Sequence, residues 1–189
     1  MANEWGPLGA LAGEWESDKG GLDTAFSHSQ GKVVGSPYLE KCTMKPFGPV
    51  DNGNQHLYGL DYRSAMWRGD EENPFHTEVG YWLWDAATDE IMKGFVVPRG
   101  ITTLAGGTAA ADTTEFTLKA AMGEAQYGIG ENKYLARRAS TLSYEVTVTM
   151  GDDTWSYDET TVLQMAEFDR PLAHTDHNTL RRVASAGRA

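Results

Sequence analysis

Short runs in which apolar and polar residues alternate recur along almost the whole chain, and that period of two restricts it to a fold built of strands. Tyr38, Cys42 and Met44 share one parity, with Lys41, Thr43 and Lys45 on the other. Tyr58, Leu60, Tyr62 and Met66 line one face of the next run, with Asp61 and Arg63 opposite. Phe75, Val79, Tyr81 and Leu83 alternate with His76, Glu78, Gly80 and Trp82; Phe116, Leu118, Ala120 and Met122 form another set. Tyr144, Val146, Val148 and Met150 stand against Glu145, Thr147 and Thr149, and Trp155, Tyr157, Leu163 and Met165 follow. Strands of this kind place one face on a core and the other toward solvent.

Turn signals punctuate the runs: Asp51-Asn52-Gly53-Asn54, Gly69 to Pro74, Asp85 to Asp89, Gly106-Gly107 and Gly151-Asp152-Asp153. Roughly eight to ten short strands joined by tight turns read as an antiparallel sandwich or barrel, and a barrel removes the open edges that so many strands would expose. Helical pattern is scarce. Pro7 to Leu11 predicts one helical turn before the first strand, Asn132 to Ser140 fits either a helix or loop and strand, and Thr175 to Val183 fits either a last strand or a short turn and strand. The Gly- and Ser-rich stretch 17–37 alternates little and predicts a long loop over one end. With 189 residues, 40% hydrophobic and 23% charged, the chain predicts a single domain over 1–189, with its core at about 5–184 and a tail at 185–189.

A formal net charge of −11 repels phosphate backbones and anionic lipid, so nucleic acid and membrane partners are disfavoured. Cys42 is the single cysteine, which excludes an intrachain disulfide and fits a reducing, cytoplasmic setting. The first residues carry neither the basic nor the apolar stretch of a secretory signal, and no apolar run approaches the roughly 18 residues of a membrane-spanning helix.

The histidines are the residues most able to carry chemistry, since neutral imidazole is a common ligand for iron and zinc. His28 and His56 sit in polar, turn-like settings. His76 opens a strong strand, and His174 and His177 flank Asp176 near the end. Two His and a carboxylate make a zinc ligand set, but His174 and His177, three apart on a strand, point to opposite faces. His76-x-Glu78 resembles half of a zinc-deaminase signature, whose Pro-Cys-x-x-Cys half is missing from a chain with one cysteine. There is no Gly-x-Ser-x-Gly, and the glycine-rich stretches lack the Lys-Ser/Thr of a phosphate loop.

Taken in order, Pro7-Leu8-x-x-Leu11-x-Gly13-x-Trp15, Tyr38-Leu39-Glu40, Leu57 to Tyr62, Phe75-His76-x-Glu78-x-Gly80-Tyr81-Trp82, Gly106-Gly107, Leu142-Ser143-Tyr144 and the ending from His174 to Val183 resemble the nitrobindin family. Its members are haem-binding barrels related in shape to lipocalins and fatty-acid-binding proteins. The resemblance implies an all-β, antiparallel up-and-down calycin-like barrel of about ten strands with a short N-terminal helical turn. In that fold Trp15 plugs one end and Gly13 lets the backbone bend. It implies haem b held by a C-terminal histidine, His174 or His177, with His76 on the opposite, distal side as the catalytic residue. It also implies nitric oxide binding, or isomerisation of peroxynitrite to nitrate, at ferric iron. Met44, Tyr62, Met66, Val97 and Leu163 stand on inward parities suited to line the pocket.

Two other readings stay open: an iron-free carrier of an apolar small molecule inside the same barrel, and a barrel with a metal-dependent or other activity without porphyrin. Trp67, Trp82 and Trp84 are many aromatics for one core, so they either plug the barrel or cover an outer face through which two copies pair as a homodimer.

Overall fold

The computed structural model describes residues 4–183, so the tail expected at 185–189 lies outside the described residues. Helix α1 (Leu8–Leu11) leads into β1 (Gly13–Ser17), β2 (Gly21–Ser27), β3 (Lys32–Asn52) and β4 (Gln55–Trp67). Then come β5 (His76–Asp85), β6 (Glu90–Val97), β7 (Ile101–Thr108), β8 (Glu115–Ala121) and the short β9 (Ile129–Glu131). Helix α2 (Leu135–Arg138) precedes β10 (Ala139–Met150), β11 (Thr154–Met165) and β12 (Leu172–Arg182). No described helix is long and apolar enough to cross a membrane.

Neighbouring strands pair antiparallel in the order β1-β12-β11-β10-β8-β7-β6-β5-β4-β3-β2. The sheet closes because β1 and β2 both pair with β3 and with β12. They are two halves of one broken strand sharing a single lane, so the barrel has ten lanes, as the alternation predicts. β9 lies off this path and pairs with β7. β7 itself shares one register pair with β8, Gly106 with Lys119.

Closure decides which parity is buried. On β4, β8 and β10 the apolar parity faces inward, with Leu60, Leu118 and Val148 fully enclosed. On β5 the burial runs the other way: Trp82, Trp84 and Glu78 are inside, while Val79 and Tyr81 are about half exposed. A two-residue period fixes that one face is inside; the neighbouring strands decide which one. Trp82 and Trp84 are therefore interior residues.

Two expectations are corrected. The stretch 17–37 is a paired hairpin, with Gly21 facing Tyr38 and Ser27 facing Lys32. Its inward positions, Gly21, Asp23 and Ala25, are small or charged, and this masks the alternation. Gly106-Gly107 lies inside β7 rather than in a turn.

One end of the barrel is sealed by apolar packing. Leu8 and Leu11, three apart on α1, both reach zero exposure. The Trp15 indole N–H donates to the Leu11 carbonyl (2.8 Å) and the Trp84 indole to Ala109 (3.0 Å). Trp15 meets Trp155 edge-to-face and carries the Arg182 guanidinium on its ring at 4.1 Å. Gly13 makes the bend between α1 and β1 at φ 144°, a region that disfavours a side chain. Trp15 is thus the plug expected of it.

Gly80 sits where β5 passes closest to β6, and a Cβ there would fall within the van der Waals envelope of the Gly94 carbonyl oxygen. Gly80→Ala should therefore force two central strands apart, at roughly 2–4 kcal/mol. In a domain of this size that lowers the thermal midpoint by roughly 5–15 °C. Calorimetry checks it, and an unchanged midpoint would show that the strands separate freely.

Candidate functional site

The strand ends opposite the plug surround a cavity of about 550 Å³, within the roughly 300–1,000 Å³ range of small-molecule sites. Phe26, Val33, Phe75, Val97, Leu163 and Leu172 supply much of its apolar wall, and Arg68 and Arg99 stand on it. Deeper in the barrel is a smaller void of about 60 Å³ bounded by Tyr62, Trp82, Lys93, Tyr157, Glu159 and Asp176. Asp23, Phe75, His76 and His174 line both spaces and so form the partition between the mouth and this inner chamber.

The alternation of β12 places His174, Asp176, Asn178 and Leu180 on the inward face and His177 on the exposed outer face. The question left by the sequence is thereby answered: His174 reaches the cavity, and His177 is corrected to a surface residue. The His174 Nε2 lies 2.7 Å from Asp23 Oδ1. Burial works to raise the Asp23 pKa, but hydrogen bonds from His174 and Arg68 outweigh it and hold the carboxyl below its ordinary value. An ionised carboxylate only accepts, so Nε2 is the donor in this bond. The Arg68 guanidinium pairs with the other Asp23 oxygen and lies over the Phe75 ring at 3.8 Å.

His76, at the start of β5, places Nε2 3.3 Å from Glu78 Oε1. Glu78 Oε2 accepts from the Lys93 ammonium (2.9 Å) and from the Tyr62 hydroxyl (2.8 Å). Lys93 also donates to Tyr144 (3.1 Å), whose hydroxyl donates to Glu159 (2.7 Å). Burial opposes the charge on Glu78, yet Lys93 and His76 overcome it and keep this carboxyl far below the usual range. The same contact raises His76: burial pushes its pKa down, and the bond and charge of Glu78 push it up by more.

Three further carboxyl groups face inward without a cation of their own. Glu40 accepts from Ser64 (2.5 Å), Tyr157 (2.8 Å) and Asn178 (3.0 Å), and burial raises its pKa. Glu159 and Asp176 are direct cross-strand partners, and Asp176 in turn faces Asp23 across β12 and β2. Like charges directly opposite repel, and burial with these neighbours pushes Asp176 up to about 8, although Tyr38 donates to it.

Of the other residues expected to line a ligand site, Val97 and Leu163 stand on the mouth cavity and Tyr62 and Met66 on the inner chamber. Met44 is corrected to a core residue: it is fully buried in the apolar cluster and borders neither space. Among the described residues no group of three or more His, Cys, Asp or Glu is arranged to hold a bare metal ion. Cys42 is buried, and its thiol pKa is raised by that burial. Sequence reasoning missed Asp23, Glu40, Lys93 and Glu159. The signal was present as charged residues on inward parities, Lys93 between Ile91 and Phe95 for one.

Because Asp176 is protonated in the folded barrel at pH values where the unfolded chain has already ionised, it favours folding most below about pH 4. That contribution is lost progressively as pH rises through about 8. Urea midpoints should accordingly decline from pH 5 to 8, and Asp176→Asn should flatten the decline. An identical slope in the variant would show that Asp176 is ionised throughout.

Comparison with solved structures finds the crystal structure of Rv2717c from M. tuberculosis similar over 94% of this chain and 97% of that one, with TM-score 0.64 and 20% identity. At that identity the likeness establishes the shared barrel. No curated protein matches the sequence. A family model described as "THAP4-like, heme-binding beta-barrel domain" matches residues 4–182. With that match spanning nearly the whole chain and the barrel closed around two inward imidazoles, the protein belongs to the THAP4-like haem-binding β-barrel family.

Proposed function

We propose that the mouth cavity binds haem b through His174 and that the loaded protein binds nitric oxide or isomerises peroxynitrite. The observation that carries this reading is the His174–Asp23 pair. An imidazole on the wall of an apolar cavity has one nitrogen committed to a buried carboxylate and the other free as a Lewis base. Histidines that ligate metals usually donate their second ring nitrogen in this way, which fixes the ring and raises its basicity. The apolar side chains of Phe26, Val97, Leu163 and Leu172 on the cavity wall support the reading, since a porphyrin needs apolar surroundings.

When bound, haem supplies an iron centre with an open position for a diatomic ligand or a small anion. The remaining roles belong to the chain. Asp23 orients His174. His76, protonated above its ordinary range by Glu78, is placed at the cavity as a hydrogen-bond donor to a bound anion. Phe75 and the apolar wall keep water from the pocket.

Titration of hemin into the apo-protein should give a sharp Soret band in wild type and in His177→Ala, and none beyond free hemin in His174→Ala. Absence of the band in wild type would discard haem and leave the iron-free carrier as the reading of this cavity. Asp23→Asn, which keeps the shape but loses the charge, should weaken hemin affinity by about 10–100-fold. Unchanged affinity would show that Asp23 does not support the ligand.

A further inference from the structure

The mouth cavity departs from the charge of the rest of the protein. The chain carries net −11 and the inner chamber below is rich in carboxyl groups. On the mouth cavity, Arg68 and Arg99 face a single lining carboxylate, Asp23. Arg68 is held there by two fixed contacts, one Nη2 bond to Asp23 and a stack on Phe75. Those contacts leave most of its five N–H donors uncommitted. Its Nε–H is buried without any hydrogen-bond partner, while the side chain as a whole remains 39% exposed. The buried Nε lies out of a ligand's reach, but the exposed part of the guanidinium stands on the cavity with donors to spare, and the planar fork of arginine matches a carboxylate best. Apolar walls complete the other half of the ligand's description.

We propose that the mouth cavity selects an amphiphile, a flat or extended apolar body with a carboxylate head, and that Arg68 is the specificity-determining residue that takes the head. The proposal rests on the cavity being the ligand site and adds the chemistry of what enters it. A tetrapyrrole with free propionates and a long-chain fatty acid share that chemistry. Asp23 links the two recognition elements, because one of its oxygens holds Arg68 and the other holds His174. The head-group anchor and the imidazole are thereby tied to one buried carboxylate.

The test uses iron-free ligands on the full chain. Tryptophan quenching measures protoporphyrin IX against its dimethyl ester, and calorimetry measures palmitate against methyl palmitate, in wild type, Arg68→Met and Arg68→Lys. Wild type should bind at least one free acid about tenfold or more tightly than its ester. Arg68→Met should abolish that preference, acid and ester then binding alike, and Arg68→Lys, which keeps the charge without the fork, should retain part of it. Preference for the porphyrin acid identifies a tetrapyrrole source, and preference for palmitate alone identifies a fatty acid as the source, with the haem reading decided separately by the hemin titration. Equal affinity for acid and ester in wild type overturns the proposal whatever the variants do, as does a preference that survives in Arg68→Met. Because iron takes no part, a hemin Soret band with no acid preference would leave haem binding intact and this inference refuted.

Discussion

Closing a sheet into a barrel removes every free edge but turns half of the side chains into a space with little water, and the Glu78–Lys93 ion pair is what lets this interior be polar. Lys93 is buried with its ammonium 2.9 Å from Glu78 and within 4.2–5.6 Å of the ring centroids of Phe95, Tyr62, Trp82 and Tyr144. Removing one member of such a pair costs about 3–5 kcal/mol, a large share of the roughly 5–15 kcal/mol that holds a domain together. The pair does more than neutralise charge. Glu78 uses its other oxygen to hold His76, and Lys93 carries the network on to Tyr144 and Glu159. The central core and the mouth are therefore mechanically continuous, and a histidine at the cavity is fixed by a lysine deep in the barrel.

Along its axis the barrel has three levels with different physics. The plug is apolar and tightly packed around Leu8, Leu11 and Trp15. The chamber is polar, small and crowded with carboxyl groups that accept hydrogen bonds from tyrosine hydroxyls. The mouth is wide, apolar-walled and basic. The two imidazoles stand on the boundary between the second and third levels, projecting from strands rather than loops. Sites carried on regular elements are held more precisely than those on loops, and here both strands are also paired on each side.

Much of this was legible in the residues themselves. The period of two along β4, β8 and β10, and the turn residues between strands, were enough for an antiparallel sandwich or barrel, and the family resemblance favoured the barrel. The motif around His76 pointed to the correct strand for one of the site histidines. The parts that were hidden share a cause. β2 buries Gly21, Asp23 and Ala25, so its inward face does not look apolar, and the strand passes for a loop. β5 carries apolar residues on both faces, so pattern alone cannot orient it. The interior charges were masked by an acidic composition, in which one more Glu or Asp attracts no notice. They become visible only when read by parity: Glu40 between Tyr38 and Cys42, Glu159 between Tyr157 and Leu163. His174 and His177 could be told apart only by the register of β12.

The junction of β7 with β8 has a bearing on motion. Most neighbouring lanes are zipped by seven to twelve residue pairs, such as β10 with β8 or β3 with β4, whereas this one has a single register pair, Gly106 with Lys119, and close packing of Gly107 on Thr117, with β9 laid against the other stretch of β7. Local opening in proteins begins where few backbone bonds and contacts resist it. By that rule the amides of β7 and β8 facing this junction are expected to exchange before those of the longer ladders, except where the segment 122–131 folds back to close it, Leu104 donating to Gly128 and Ala121 to Tyr127.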